Sequence, residues 1–386
     1  LVKPLTLPWS GRDVPHAILD INRGCDIRCR ACYNARPPEN KSRAQIESDL
    51  DCLQKLRRLH TITIAGGEPL LHPDLDEIVR SVRSRGLRAA LATNGRGLDA
   101  ARAASLADAG LDLALLHIDP GQIRTDLTDP SNRAAVRDLR IEKLALLAGQ
   151  GIAGGLLSTV YAHDLEDVGE SIQLLIDLPS ARYLVFTGHA DFPRLGAVTG
   201  NMETGLKAAV TGGNGTSRQM TNVVCARFMK ERYRARPFAT LPSSGTSRYD
   251  AWLSYQAVVA YDASQPADSA FLTSSLVERA GLRVMRAKLG RHSFFHDESP
   301  RAQRIQLALN AITGGRFPRD VRMLRHAVAG RELVSKHIVF QQGATPDATG
   351  SLSTCGDCPD AVVIDGRLLP VCLADRVAVS NQGDFL

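Results

Sequence analysis

The sequence predicts an α/β fold with a parallel sheet, followed by a mixed α+β region. Three observations predict it. From Ala17 to Thr187, six short apolar runs alternate with five amphipathic stretches of helical spacing, the pattern of strands joined by right-handed helical crossovers. The chemically distinctive residues fall at the ends of those runs, the carboxyl ends of the strands, where sheets of this kind gather their active groups. After about Phe192 the alternation stops.

The strand runs are AILDI (17–21), TITIAGG (61–67), AALATNG (89–95), LALLHID (113–119), GLLSTVY (155–161) and RYLVFTG (182–188). Between them lie SRAQIESDLDCLQKLRRL, PDLDEIVRSVRSRG, DAARAASLADAG, NRAAVRDLRIEKLALLAGQG and DLEDVGESIQLLIDL. Each has apolar residues three or four apart behind a polar or proline start. In the second, Asp74, Asp76 and Glu77 load a first helical turn with acids, which the helix dipole favours. Residues 196–217, rich in glycine and threonine, read as a loop. A strand follows at AWLSYQAVVAY, then helices near 267–290, 299–313 and 318–330, the second opening on Ser299–Pro300. The strand-like KHIVFQQG leads to CGDCPDAVVIDGRLLPVC, where Asp365–Gly366 marks a hairpin turn between two apolar runs. There is no repeat of solenoid period.

With 386 residues, 44% hydrophobic and 23% charged, the composition is that of a globular chain large enough for two domains. No run reaches the roughly 20 apolar residues that a spanning helix needs. Leu1 to Pro8 does not read as a signal peptide, and the expected location is the cytoplasm. The net charge of +6 is dispersed arginine rather than a compact basic patch, and two tryptophans make no stacking platform, so nucleic acid is not expected as a main partner. The basic, amphipathic stretch 278–295 reads as a helix packed on the sheet with a solvated arginine face, with membrane-surface contact as the alternative.

Eight cysteines stand at 25, 29, 32, 52, 225, 355, 358 and 372. Six fall into two tight groups, which reads as metal ligation, whereas Cys52 and Cys225 read as apolar filler. Structural zinc takes four ligands, and GCDIRCRACYN offers three cysteines with no suitable histidine after them. A redox pair needs two thiols and leaves Cys25 unused. An iron–sulfur cluster with three thiolates and one open iron fits the count.

The C-x3-C-x2-C spacing after the first strand, GGEPLLHPDL after the second and ATNG after the third resemble the radical SAM enzymes over about the first half of the chain. The resemblance implies a partial (β/α)6 barrel over 1–192, a mixed substrate-covering region over 193–340 and an α+β auxiliary-cluster hairpin domain over 341–386. It implies a [4Fe–4S] cluster on Cys25, Cys29 and Cys32, its fourth iron chelated by S-adenosylmethionine. Reductive cleavage would give a 5′-deoxyadenosyl radical that takes a hydrogen from substrate, with a flavodoxin- or ferredoxin-type electron donor. By the same resemblance Gly66 and Gly67 allow close approach of backbone to ligand, Glu68 accepts from the methionine ammonium and Pro69 stiffens the turn. His117 and Asp119 are catalytic candidates near the ribose or substrate, and Asn94, Ser158 and Thr159 are ribose candidates. The residue before the third cysteine, usually aromatic in the family, is Ala31, and Tyr33 is the nearby cofactor candidate. Arg124 is offered as a carboxylate partner against a surface arginine. His72 and His189, near strand tips, read as structural hydrogen-bonding groups.

Cys355, Cys358 and Cys372 resemble the hairpin part of the family's auxiliary iron–sulfur (SPASM/twitch-like) extension, without its full seven-cysteine pattern. Their fourth ligand is open between Cys225, a histidine, substrate or a free iron, with a zinc knuckle as the alternative. The incomplete motif points to a small-molecule or lipid-like substrate, with dehydrogenation, epimerisation, carbon–carbon bond formation or sulfur insertion open. The alternatives are a peptide-modifying enzyme and, from another class, a non-catalytic iron–sulfur or zinc sensor or scaffold.

Overall fold

A computed structural model describes residues 3–32, 34, 38–161, 165–189, 195–199, 206–210, 221–244, 250–294, 300–313, 317–346 and 351–380. In chain order the first half runs β1 (Leu5–Thr6), β2 (His16–Asp20), α1 (Arg43–Leu56), β3 (Thr61–Ala65), α2 (Leu75–Ser84), β4 (Arg88–Thr93), α3 (Ala100–Asp108), β5 (Leu113–His117), α4 (Arg133–Gly149), β6 (Ala153–Val160), α5 (Leu165–Asp177) and β7 (Ala181–Gly188). The second half runs β8 (Leu195–Thr199), β9 (Leu206–Val210), α6 (Asn222–Tyr233), β10 (Ala239–Pro242), β11 (Asp250–Asp262), β12 (Gln265–Phe271), α7 (Leu276–Leu289), α8 (Pro300–Thr313), α9 (Phe317–Val328), β13 (Glu332–Gln342), β14 (Thr345–Pro346), β15 (Ser351–Ser353), β16 (Ala361–Ile364), β17 (Arg367–Pro370) and α10 (Val371–Ser380).

The six strands β2 to β7 pair in sequence order, all parallel, as the βα alternation requires. The helices start where the sequence supplies caps: Ser42 and Gln45 form a capping box on α1, and Asp99 and Asn132 cap α3 and α4. The sheet continues past residue 192. β13 joins β7 in parallel, β11 pairs antiparallel with β13, and β10, β1 and β12 complete an 11-stranded sheet among the described residues.

One face of the sheet packs against α1 to α6 through Ile46, Leu50, Val79, Leu106, Leu144, Ile172 and Met229. On the opposite face, Leu307 of α8 and Met323 of α9 cover Val258 and Ala260 of β11. The C-terminal segment lies on that same face, Val362 and Ala374 packing on Ile18 of β2 and on Ala65. Asp360 spans the curl of the sheet. One carboxylate oxygen meets His16 of β2 at 3.0 Å, and the other accepts from Gln341 of β13 at 2.9 Å. Trp9, just ahead of β2, meets Trp252 of β11 edge-on at 6.3 Å, which brings the same two edges together.

Two expectations need correction. Part of 196–217 is strand, not loop: β8 and β9 pair with each other, and β15 and β14 extend them into a four-stranded sheet. The partner that makes β9 an inner strand comes from residue 351 onward, so the local glycine content misleads. The start of the 267–290 helix is instead β12, because Ser269, Ala270 and Phe271 pair with β11 before α7 begins. The Asp365–Gly366 turn is as expected, with φ of 49° and 74° joining β16 to β17. Ser299 lies outside the described residues. No helix among the described residues is long and apolar enough to cross a membrane.

Candidate functional site

The loop after β2 carries Cys25, Cys29 and Cys32, and its backbone is clamped from two sides. From the β3 tip, Gly67 N–H donates to Asn22 O at 2.8 Å and Glu68 N–H donates to Gly24 O at 2.7 Å. From the loop after β5, Ile123 and Arg28 exchange backbone hydrogen bonds at 2.9 and 3.0 Å. The glycines are needed for this contact. A Cβ on Gly67 would lie 2.2 Å from Gly24 O, and one on Gly66 would lie 2.4 Å from Asn22 O. The approach these glycines permit is to the chain's own cysteine loop.

Glu68 is buried, and its carboxylate accepts from Leu70 N–H (2.9 Å), Thr93 Oγ1 (2.6 Å) and Asn94 N–H (2.6 Å). Burial raises its pKa and those three donors oppose the rise. Glu68 thus ties the β3 tip to the β4 tip. Pro69 opens a short 3-10 turn behind it, as its fixed φ suits.

Asn94 stands beside the cysteines, its Nδ2 2.8 Å from Asp26 Oδ1 and 3.8 Å from Cys25 Sγ. Gln122, which the sequence reading missed, donates from Nε2 to Cys29 Sγ at 3.5 Å. Burial first, then the charges of Cys32, Asp119 and Cys25, push the Cys29 thiol up to about 12. Burial likewise raises Cys25. Arg124 is no surface residue. Its side chain is buried, and Nε and Nη2 both sit 2.7 Å from the Asp126 carboxylate.

His117 and Asp119 meet at 2.9 Å, but Asp119 is fully occupied. Oδ1 takes Ser158 Oγ (2.7 Å) and Arg140 Nη2 (3.3 Å), while Oδ2 takes Thr159 N–H (2.8 Å) and His117. Burial would raise its pKa, yet His117 and Arg140 hold it down at about 2. Four partners fill a carboxylate's lone pairs, so Asp119 and Ser158 are positioning groups, and His117 is the half-exposed member of the set. Thr159 Oγ1 lies 3.4 Å from His117 Nε2. His72 accepts from Asp74 N–H at 3.1 Å and pairs with Lys41 O at 3.0 Å, a structural role. His189 packs on Tyr161 at 4.9 Å, with Arg30 over the same ring. Tyr33 lies outside the described residues.

Residues 19–188 match the Radical SAM superfamily. Over this segment, somewhat less than half of its length, the chain is similar to the radical SAM superfamily. It is 30% identical over 175 residues to a PqqA peptide cyclase of Streptomyces rochei, covering 43% of this chain and 46% of that protein. It is 26% identical over 189 residues to the Fe-coproporphyrin III synthase of Methanosarcina barkeri, covering 47% of each. A crystal structure of Streptococcus suis SuiB bound to precursor peptide SuiA superposes with a TM-score of 0.38 at 15% identity, over 47% of this chain and 40% of that one. The chain thus spans about half the length of the curated relatives it matches.

The radical SAM family's cofactors are a [4Fe–4S] cluster and S-adenosylmethionine. The cysteine loop suits such a cluster. It brings Cys32 and Cys25 close enough to raise the Cys29 thiol, which a metal's positive charge would reverse, and amide N–H groups face two of the sulfurs. The one carboxylate among them, Asp26, is bound by Asn94 and by Arg96 at 2.7 Å. Among the described residues no group of three or more cysteine, histidine or carboxylate side chains is arranged for a single metal ion.

In the C-terminal group, Cys355 and Cys358 are buried against Trp252, Leu241 and Ala251. The neighbouring Cys355 thiol and burial raise Cys358, and burial with the Cys358 charge raises Cys372 to about 12, so Cys358 has each of the other two as a neighbour. Cys225 does not join them. It is buried on α6 among the helices on the other face of the sheet, as apolar filler is expected to be. Half-exposed Cys52 packs on the same core and donates to Gly366 O at 3.8 Å. A second residue that the sequence reading missed is Arg57. Buried at the end of α1, it donates to His16 O (2.7 Å), Cys358 O (2.8 Å) and Pro359 O (3.3 Å).

Proposed function

We propose that this protein is a radical SAM enzyme that modifies a peptide. The observation that carries the enzyme reading is the cysteine loop itself, clamped at the carboxyl ends of β2 to β5 with amide donors at two of its sulfurs. Cys25, Cys29 and Cys32 would hold the cluster. When bound, cluster and S-adenosylmethionine supply a 5′-deoxyadenosyl radical for hydrogen abstraction. The chain's own residues then have defined tasks. Gly66, Gly67 and Glu68 fix the loop, Asn94 and Gln122 orient two sulfurs, and Asp119 holds His117 and the Ser158–Thr159 backbone toward the strand tips. The half-buried Leu157 and Val185, beside Ala90 and Leu115, give an apolar wall on the inner face of the sheet.

The peptide reading is supported by the relative named as a peptide cyclase, and it replaces the small-molecule or lipid-like substrate drawn from the incomplete C-terminal motif. A porphyrin substrate is the second reading, favoured by the relative named Fe-coproporphyrin III synthase. Cys355, Cys358 and Cys372 would hold a second iron–sulfur cluster on the same face of the sheet. A flavodoxin or ferredoxin in the cytoplasm would supply the electron, consistent with thiols that must stay reduced.

Anaerobically reconstituted protein given S-adenosylmethionine and dithionite should release 5′-deoxyadenosine, and Cys29→Ala should abolish the release. No release from protein of verified iron content refutes the enzyme reading. Peptides encoded beside the gene should raise the rate and change mass, whereas stimulation by a porphyrin alone overturns the peptide reading. Cys355→Ala/Cys358→Ala should lower iron and sulfide per chain, and an unchanged count removes the second cluster.

A further inference from the structure

The two amides at the cysteines are held in one orientation each. Gln122 is buried, and its Oε1 accepts from Arg124 Nη1 at 3.0 Å. A guanidinium has donors only, so the oxygen end of Gln122 faces Arg124, and its NH2 end faces Cys29 Sγ at 3.5 Å and His117 O at 3.2 Å. Arg124 cannot turn away. Its side chain is wholly buried, doubly bonded to Asp126, and donates to Asn94 O at 3.0 Å. Asn94 is fixed in the same way. Its Oδ1 accepts from Arg96 N–H at 2.8 Å, which leaves its NH2 for Asp26 and Cys25 Sγ.

We infer that Gln122, oriented by Arg124, is a positioning residue whose amide N–H donates to the Cys29 thiolate and raises the reduction potential of the cluster held there. The inference rests on the cysteine loop being the cluster site proposed above. Reduction adds negative charge that spreads onto the cysteine sulfurs, so a dipole aimed at one of them stabilises the reduced state. Because Arg124 is neutralised by Asp126, the effect comes from the directed N–H rather than from a net positive charge.

The test uses the full reconstituted chain and the electron-paramagnetic-resonance signal that changes on adding S-adenosylmethionine. In a potentiometric titration, Gln122→Leu should shift the reduction equilibrium about tenfold toward the oxidised cluster, about 59 mV for one electron. Arg124→Met, which frees the amide to flip, should shift it the same way by less. Wild-type protein carrying amide-15N glutamine should show a 15N hyperfine coupling in the reduced state, a readout that needs no variant to fold. An iron-replete Gln122→Leu with wild-type potential overturns the inference, and so does a wild type without the coupling. A wild-type chain that takes up no cluster overturns the reading of the site as well.

Discussion

Replacing Asp119 by asparagine removes a charge around which the tips of β5 and β6 are organised. The buried carboxylate receives Ser158 Oγ, Arg140, Thr159 N–H and His117, so an amide in its place must turn its NH2 toward one pair of donors. Arg140 is buried and would retain Ile118 O at 2.7 Å, Ser171 Oγ at 3.0 Å and Asp167 at 3.7 Å. Breaking a buried pair costs about 3–5 kcal/mol, and the remaining partners of Arg140 place this case at the lower end, about 3 kcal/mol. Chemical denaturation of the reduced apo-protein at pH 7 reads that loss directly. The pH dependence supplies a second check. A carboxyl lowered from 3.8 to about 2 stabilises the fold above pH 4 and loses that contribution as pH falls toward 2. The gap between wild type and Asp119→Asn should therefore narrow by about 2 kcal/mol over that interval. A loss under about 0.5 kcal/mol at pH 7, the range of ordinary surface changes, would refute the network as drawn.

Gly67→Ala should cost about 3 kcal/mol and lower the iron taken up per chain, because its Cβ would meet the backbone of Arg23 and Gly24, which no rotamer change can move aside. Arg57→Met should cost about 2–4 kcal/mol by leaving buried carbonyls unpaired, and limited proteolysis should then release the C-terminal segment faster than it cuts β2 to β7. Glu68→Gln sets an amide NH2 against the donors at Leu70, Thr93 and Asn94, so a loss of about 1.5–3 kcal/mol should accompany weaker cluster retention, measured as iron per chain after gel filtration.

What the sequence discloses here is set by distance along the chain. Strands β2 to β7 bury apolar residues and are joined by helices, so each appears as an apolar run with a helical stretch behind it. Three thiols within eight residues are equally local. The closure of the sheet is not. Asp360 reaches His16 across 344 positions, and Arg57 reaches Cys358 across 301, so neither leaves a pattern that a window of residues could show. Gln122 likewise carries no local mark, since the pairing of Arg28 with Ile123, 95 positions apart, helps bring it to Cys29. The same distinction applies to GGEP. As a local motif it invites the reading that its glycines and glutamate meet a ligand. In the structure Gly66, Gly67 and Glu68 make contacts to Asn22, Arg23, Gly24, Leu70, Leu71, Thr93 and Asn94. The motif holds the segment that carries the cysteines against two neighbouring strand tips.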